Sequence, residues 1–556
     1  MSGFRKTSLG LAVVLLILLS AGAARAAWVD GQAADLVLGQ ADFTHNAANR
    51  GGAAAANTLN SLFGVVVDPA TGKVFVADEQ NNRVLRYASV ATLVSGAAAE
   101  GVLGQANFTT VTANRGGAVA ANTMASPRGL HIEANGRLWV VEFANHRVLW
   151  FNDAVNKADG AAADGVLGQA DFTHNAANRG LPGGACAANT MTQPGGVSVS
   201  SDGTLWVADT VNYRLLRFDN AAAKANGADA DGVLGQADFK HNLQNRGVPV
   251  AANGVGLVYD LTLHDTGALY VGDFGNHRVL RFDNAAAKAN GANADGVLGQ
   301  ADFTSGTANR GGAAGADTMF SPISISIDVA GRLYVSEYNN HRILIFNNAA
   351  SLANGAAASN VLGQANFTVV APNRGGAVAA DTLSGPCQTW FDKDQNRLWV
   401  GDRINNRALM WIGTPDPPVA TTGAAGTPTH DSVTIAGNNV PWDGSATVTE
   451  RGVEYMPANG VLDNDLARHD GAAPSPLSLW VKAAAAAGGE GTFSVDLTGL
   501  TPSTTYNYRA YAINAQGTTY GPMKTFTTAD APPAPTAPTG VDPGYNSGGC
   551  FFDTSN

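Results

Sequence analysis

Six carboxylate–arginine couples recur along this 556-residue chain: Asp78/Arg83, Glu142/Arg147, Asp209/Arg214, Asp273/Arg278, Glu337/Arg342 and Asp402/Arg407. Steps of 64, 67, 64, 64 and 65 residues separate successive arginines. In each couple the acid ends one hydrophobic run and the arginine begins the next. The two therefore flank a tight hairpin turn, where a carboxylate accepts backbone N–H bonds and a guanidinium bridges back. A couple present in every repeat serves a fold, whereas catalysis needs asymmetry, so these twelve residues read as structural. A second set of arginines follows Asn in long loops: Arg50, Arg115, Arg179, Arg246, Arg310 and Arg374. They are the candidate ligand-binding residues, an anion- or carboxylate-seeking ring on an otherwise acidic protein. The bland alternative is that each pins its own loop to carbonyl groups.

The sequence offers little for other chemistry. A zinc or lyase-type metal centre needs His, Asp, Glu or Asn converging from several repeats. The apolar runs that would face such a site offer His131, Glu133, Asp260 and Asp328, with His264 near the end of its run. His45, His174 and His241 share one repeated position, and His146, His277 and His341 another, so they belong to the repeat. No metal set results. Asp229 and Asp231, in Asp-Ala-Asp-Gly, are weak calcium candidates, lacking the twelve-residue loop and its closing Glu. Asn293-Ala294-Asp295-Gly296 is weaker still. No nucleophile elbow, phosphate loop or paired-carboxylate pattern emerges, so no catalytic residue and no cofactor are assigned, calcium excepted.

The elements that must position these residues are equally periodic. The phrase V-L-G-Q-A-[DN]-F starts at Val37, Val102, Val166, Val233, Val297 and Val361, in step with the acid–arginine couples. A fixed period of this size marks a repeat architecture, and six units of about four strands predict a closed β-propeller. In the first unit the strands are Gly64 to Asp68, Lys73 to Ala77 and Arg83 to Tyr87, followed by a V-L-G-Q strand. The first V-L-G-Q strand, Leu36 to Phe43, precedes any unit, and the last unit lacks one. The N-terminal strand should therefore complete the sixth blade and close the ring, leaving no exposed edge. The propeller is placed at 27–413. Thr414-Pro415-Asp416-Pro417-Pro418 then reads as a stiff linker.

Val76-Ala77-Asp78, Val140-Val141-Glu142-Phe143-Ala144-Asn145-His146-Arg147 and Val271-Gly272-Asp273-Phe274-Gly275-Asn276-His277-Arg278 resemble the NHL repeat. That resemblance implies a six-bladed NHL-type propeller. The family spans RNA-binding and protein-interaction platforms, lyases and many secreted bacterial proteins, so it leaves chemistry open. Leu497 to Tyr506, continuing through Tyr508-Arg509-Ala510-Tyr511-Ala512, resembles the fibronectin type III domain. This implies a β-sandwich over 414–528 including its linker, with Tyr506 as tyrosine corner and Pro502 at the corner turn. Residues 529–556 are a Pro/Gly-rich tail, expected disordered.

Arg5 and Lys6, the apolar run Leu9 to Leu19 and Ala24-Arg25-Ala26 form a signal peptide over 1–26, too short to span a bilayer as a helix. Its removal takes away three positive charges and moves the net charge from −11 to −14. Such a surface argues against nucleic acid, which needs a basic footprint. No later segment is apolar enough for an integral membrane helix. The three cysteines are not a disulfide framework, although Cys186 and Cys387 would pair if the 186 loop folded over the central opening; Cys550 is left over. The expectation is an all-β, secreted or cell-surface protein, periplasmic in one variant. It would bind an extracellular or envelope protein or glycan, without catalysis, through the loop-bearing face. Its alternatives are a metal-dependent lyase or esterase at the central channel and a surface-attached adhesive element. The oligomeric state is left open.

Overall fold

The computed structural model describes residues 28–392, 396–458 and 480–533. The expected signal peptide, Cys550 and most of the tail lie outside the described residues. The chain divides into two compact units, with the boundary between Asp416 and Pro417.

Among its described residues the first unit holds six four-stranded antiparallel sheets. Sheet one runs through Val65–Val67, Lys73–Asp78, Arg83–Ser89 and Gly101–Leu103 in sequence order. Its second strand is apolar on both faces because a neighbouring sheet covers each side. Val65, Val67, Val74 and Val76 pack with Trp399, Ala408 and Met410 of sheet six. Val66, Phe75 and Ala77 pack with Leu130, Ile132 and Val140 of sheet two.

The innermost strands of sheets two to six are Pro127–Ile132, Val197–Val199, Val258–Leu263, Pro322–Ile327 and Pro386–Asp392. Each touches the innermost strand before and after it, and that of sheet six touches that of sheet one. This cyclic order makes the unit a β-propeller, with a core distributed between sheets and only short outer strands left as edges.

The closing pairing uses the N-terminal segment. Leu36–Leu38 pairs antiparallel with Arg407–Ile412 in the register Leu36↔Met410 and Leu38↔Ala408. The strand stops at Gly39, whose φ of +84 bends the chain away and whose missing Cβ leaves room for Leu59.

The second unit is a two-layer sandwich. Ser432–Trp442 pairs with Val419–Thr421, Ala424–Ala425 and Gly491–Thr498, while Thr505–Asn514 pairs with Glu450–Pro457, Gly517–Tyr520 and Lys524–Thr527. Ile435, Val495 and Leu497 of one layer share a core with Val453, Tyr508 and Phe526 of the other. Tyr506 accepts a hydrogen bond at its hydroxyl from the Thr501 N–H, 2.9 Å away. No helix of the described residues is long and apolar enough to cross a membrane.

Candidate functional site

The six acid–arginine couples are fully buried. Arg278 shows the pattern. Its Nε donates to Asp273 Oδ2 at 2.8 Å, its Nη1 to the Phe303 carbonyl at 2.6 Å, and its Nη2 to the Ala251 and Gly254 carbonyls at 2.9 Å each. Asp273 in turn accepts from the Gly256 N–H and Asn276. A buried guanidinium tolerates desolvation only when its donors are matched in this way. Arg83, Arg147, Arg214, Arg342 and Arg407 repeat the scheme with Asp78, Glu142, Asp209, Glu337 and Asp402. Each therefore ties the hairpin to the phenylalanine of a V-L-G-Q-A-[DN]-F segment and to the long loop.

The loop arginines are engaged as well. Nη2 of Arg50, Arg115, Arg179, Arg246, Arg310 and Arg374 donates to the carbonyls of Gly96, Gly160, Gly227, Gly291, Gly355 and Gly31, at 2.7 to 3.1 Å. The Asn-Arg pairs sit in left-handed backbone, for example Asn49 at φ 49 and Arg50 at φ 54. A non-glycine residue is strained there, and the guanidinium bonds hold it in place. Through these bonds the arginines fasten their loops.

The remaining candidates resolve similarly. His146, His277 and His341 accept through Nδ1 from the backbone N–H of Gln193, Ser321 and Gly385 in the next sheet. His45, His174 and His241, all exposed, pair with Asp42, Asp171 and Asp238. Asp231 accepts from the Asp219 N–H and pairs with Lys224 at 2.9 Å, while Asp229 stands exposed, so the expected calcium loop is not assembled. Asp164/Lys157 and Asp295/Lys288 repeat that ion pair, which marks it as part of the fold.

The Cys186–Cys387 bridge is also corrected: both are free, buried thiols. Cys186 Sγ lies on the carbonyls of Phe239 and His241, whereas Cys387 packs with Phe63 and Ile323 in the interior. Burial pushes the Cys387 thiol up to about 12, which leaves it unreactive.

Asymmetry appears along the channel. At the end where the long loops enter, Glu79 is buried between Arg128 and Arg403, each 2.8 Å away. The Arg128 guanidinium carbon sits 3.4 Å from the Phe143 ring centroid. Tyr259, Phe274 and Tyr338 pack around Phe63, Ile323 and Cys387 and complete this plug.

Just inside, side chains link the inner strands across the channel. Ser324 Oγ donates to Asp260 Oδ2 at 2.5 Å and accepts from the Thr389 N–H. The Gln388 amide reaches over sheet one to both backbone groups of Leu130. It can do so because residue 64 is glycine: a Cβ there would lie 2.5 Å from Gln388 Oε1.

The opposite end is open. A cavity of about 280 Å³ lies at the ends of the innermost strands, walled by Val67, Ile132, Val199, Leu263, Ile327 and Phe391, one residue from each sheet. His131, His264, Asp265, Asp328, Trp390 and Asp392 also line it. The His131 ring meets Trp390 edge-on, with centroids 5.5 Å apart. Burial drops the His131 pKa to about 4, so the ring is neutral at pH 7. Among the described residues neither of its nitrogens has a hydrogen-bond partner.

Asp328 accepts from Arg332 and the Tyr334 hydroxyl. Asp265 is exposed at the rim with no ion pair among the described residues. Sequence reasoning picked out His131, His264 and Asp328 but missed Trp390 and Asp265. The available signal was register: Trp390 stands where the other repeats place Val66, His131, Ser198, Thr262 and Ser326. Asp260 and Glu133 do not join a metal set, and no group of three or more His, Cys, Asp or Glu suited to a metal occurs among the described residues.

Residues 191–218 and 321–346 match the NHL repeat, and together with the sheet geometry they make the first unit an NHL-repeat β-propeller. The comparison with characterised protein sequences returned no match. Among solved structures, the chain is similar to virginiamycin B lyase from Staphylococcus aureus, with 12% identity over 63% of this chain and 80% of that one and a TM-score of 0.33. It is similar to an auxiliary nutrient-binding protein of Bacteroides thetaiotaomicron, with 13% identity over 63% and 69% and a TM-score of 0.39. It is also similar to a gluconolactonase of Xanthomonas campestris, with 16% identity over 68% and 98% and a TM-score of 0.34. At these levels the likenesses say nothing about ligand or chemistry.

Proposed function

We propose that this chain is an extracytoplasmic binding protein without catalytic chemistry of its own. A six-bladed propeller holds the ligand at the blind mouth of its channel, and a fibronectin type III-like sandwich serves as spacer or second contact module. The observation that carries this reading is the cavity of about 280 Å³, with its apolar collar, half-buried Trp390 and unpartnered His131. Ligand sites are concave, with apolar walls on which polar groups converge, and here an apolar collar meets His131, His264, Asp265 and Asp328.

The ring of six sheets supports the blade count, and the Tyr506–Thr501 bond supports the sandwich assignment. Arg5-Lys6, the Leu9 to Leu19 run and Ala24-Arg25-Ala26 support export. Recognition is placed at the channel mouth and not on the long-loop face, where all twelve repeated arginines bond to the fold.

The test screens the chain from residue 27 onward against glycans and small molecules by thermal shift, then by calorimetry. A ligand so found should bind at least about tenfold more weakly to Trp390→Ala and equally well to Phe274→Ala in the plug. The reverse pattern would return recognition to the loop face.

A further inference from the structure

We infer that the ligand of the channel mouth is a small organic cation, a protonated amine carried on an apolar body. This rests on the mouth being the binding site and adds the chemistry that the site selects. No Lys or Arg is among the residues lining the cavity, whereas Asp265, Asp328 and Asp392 are. Of the guanidinium groups nearby, Arg332 is held by Asp328 at 2.6 Å and Asp416 at 2.7 Å, Arg137 by Glu133 at 3.4 Å, and Arg397 stands opposite Asp392 on the adjacent strand. Asp265 is left at the rim as a carboxylate without a countercharge among the described residues.

A recess with low-dielectric walls focuses such a potential and concentrates ions of opposite sign. Inside it, the neutral His131 ring offers an acceptor nitrogen to an ammonium N–H. Trp390 offers an indole to a cation. The aliphatic collar covers the remainder of a compact hydrocarbon body. An anion would meet the carboxylates of Asp265, Asp328 and Asp392 with no Lys or Arg among the lining residues to offset them.

The experiment uses calorimetry on the full chain from residue 27, with matched probes: 2-phenylethylamine against 2-phenylethanol and phenylacetate, and cyclohexylmethylamine against cyclohexylmethanol. The amine of each set should bind about tenfold more tightly than its neutral partner, and phenylacetate should not bind. Asp265→Asn, a change at an exposed position, should cut the amine preference to about threefold while leaving the alcohols unchanged. Equal binding of amine and alcohol, tighter binding of the anion, or failure of both amines to bind at millimolar concentration overturns the inference. A neutral sugar whose binding depends on Trp390 would keep the site and reject the cation. If no ligand of any panel depends on Trp390, the site itself is rejected.

Discussion

Asp260 lies in the channel interior with Ser324 on one carboxylate oxygen, while the other is buried without a hydrogen-bond partner. That bare oxygen packs against Gly196, where a Cβ would approach it to 2.2 Å. No cation neutralises the group among the described residues, and burial raises its pKa to about 7. The unfolded chain releases this proton near pH 4, and the folded chain holds it until about 7. The carboxyl's contribution to stability is therefore fully present below pH 4 and is lost as the pH rises through 7. Asp260→Asn should raise stability at pH 8 by on the order of a few kcal/mol. It should leave stability at pH 4 nearly unchanged, which urea midpoints at the two pH values would read. A stability difference that stays constant between pH 4 and 8 would show that the titration is uncoupled from folding. The sequence made Asp260 a metal-ligand candidate because acids are rare on such strands. What it could not supply was the neighbourhood, since Ser324 comes from the next sheet and Gly196 from the one before.

At the scale of the element, the repeat works through one residue type used twice. Arg278 joins a hairpin, a loop and a V-L-G-Q-A-[DN]-F segment, and Arg310 joins the following loop to Gly355 of the strand connection beyond. Replacing Arg278 with Met strands the Asp273 carboxylate in the interior together with three carbonyls, a loss of about 3–5 kcal/mol. Asp273→Asn in the Arg278→Met background should recover part of this, with a coupling of about 0.5–3 kcal/mol in a double-mutant cycle. Strict additivity in denaturant titrations would refute the buried pair as an energetic unit. These couples were legible in the sequence because a structural requirement repeats wherever the element repeats. The channel mouth was not. Val67, Ile132, Val199, Leu263, Ile327 and Phe391 are collectively only "apolar", and Trp390 and Asp265 each occur once, so no period draws attention to them.

For the whole molecule, closure depends on a segment hundreds of residues away from the sheet that it completes. Asp30 Oδ1 accepts from the Val361 N–H at 3.0 Å, and the Gly31 carbonyl accepts from Arg374 at 3.1 Å. The Gln32 carbonyl accepts from the Trp411 indole at 3.0 Å, and the Phe43 carbonyl from Arg407 at 2.7 Å. Elsewhere the equivalent groups lie within about one repeat of each other: the Val102 N–H donates to Asp159 and Arg115 to Gly160, both in the connection of the next repeat, while Arg147 donates to Phe172 of its own. The sequence revealed this closure through the order of its phrases, because the fourth-strand phrase comes first and is missing last. Deleting residues 27–43 should leave Nη1 of Arg407 and the Trp411 indole N–H without partners and expose the last strand of sheet six, so the first unit should lose its cooperative thermal transition. The same segment grafted after Ile412 should restore that transition, because the Ile412 N–H already bonds to Asp35 at 2.8 Å and a short connection can therefore join the two strands. A deleted chain that melts like the intact one would mean that the ring does not need this strand. A graft that fails while the deletion also fails would mean that the segment must be in place before the other five sheets assemble.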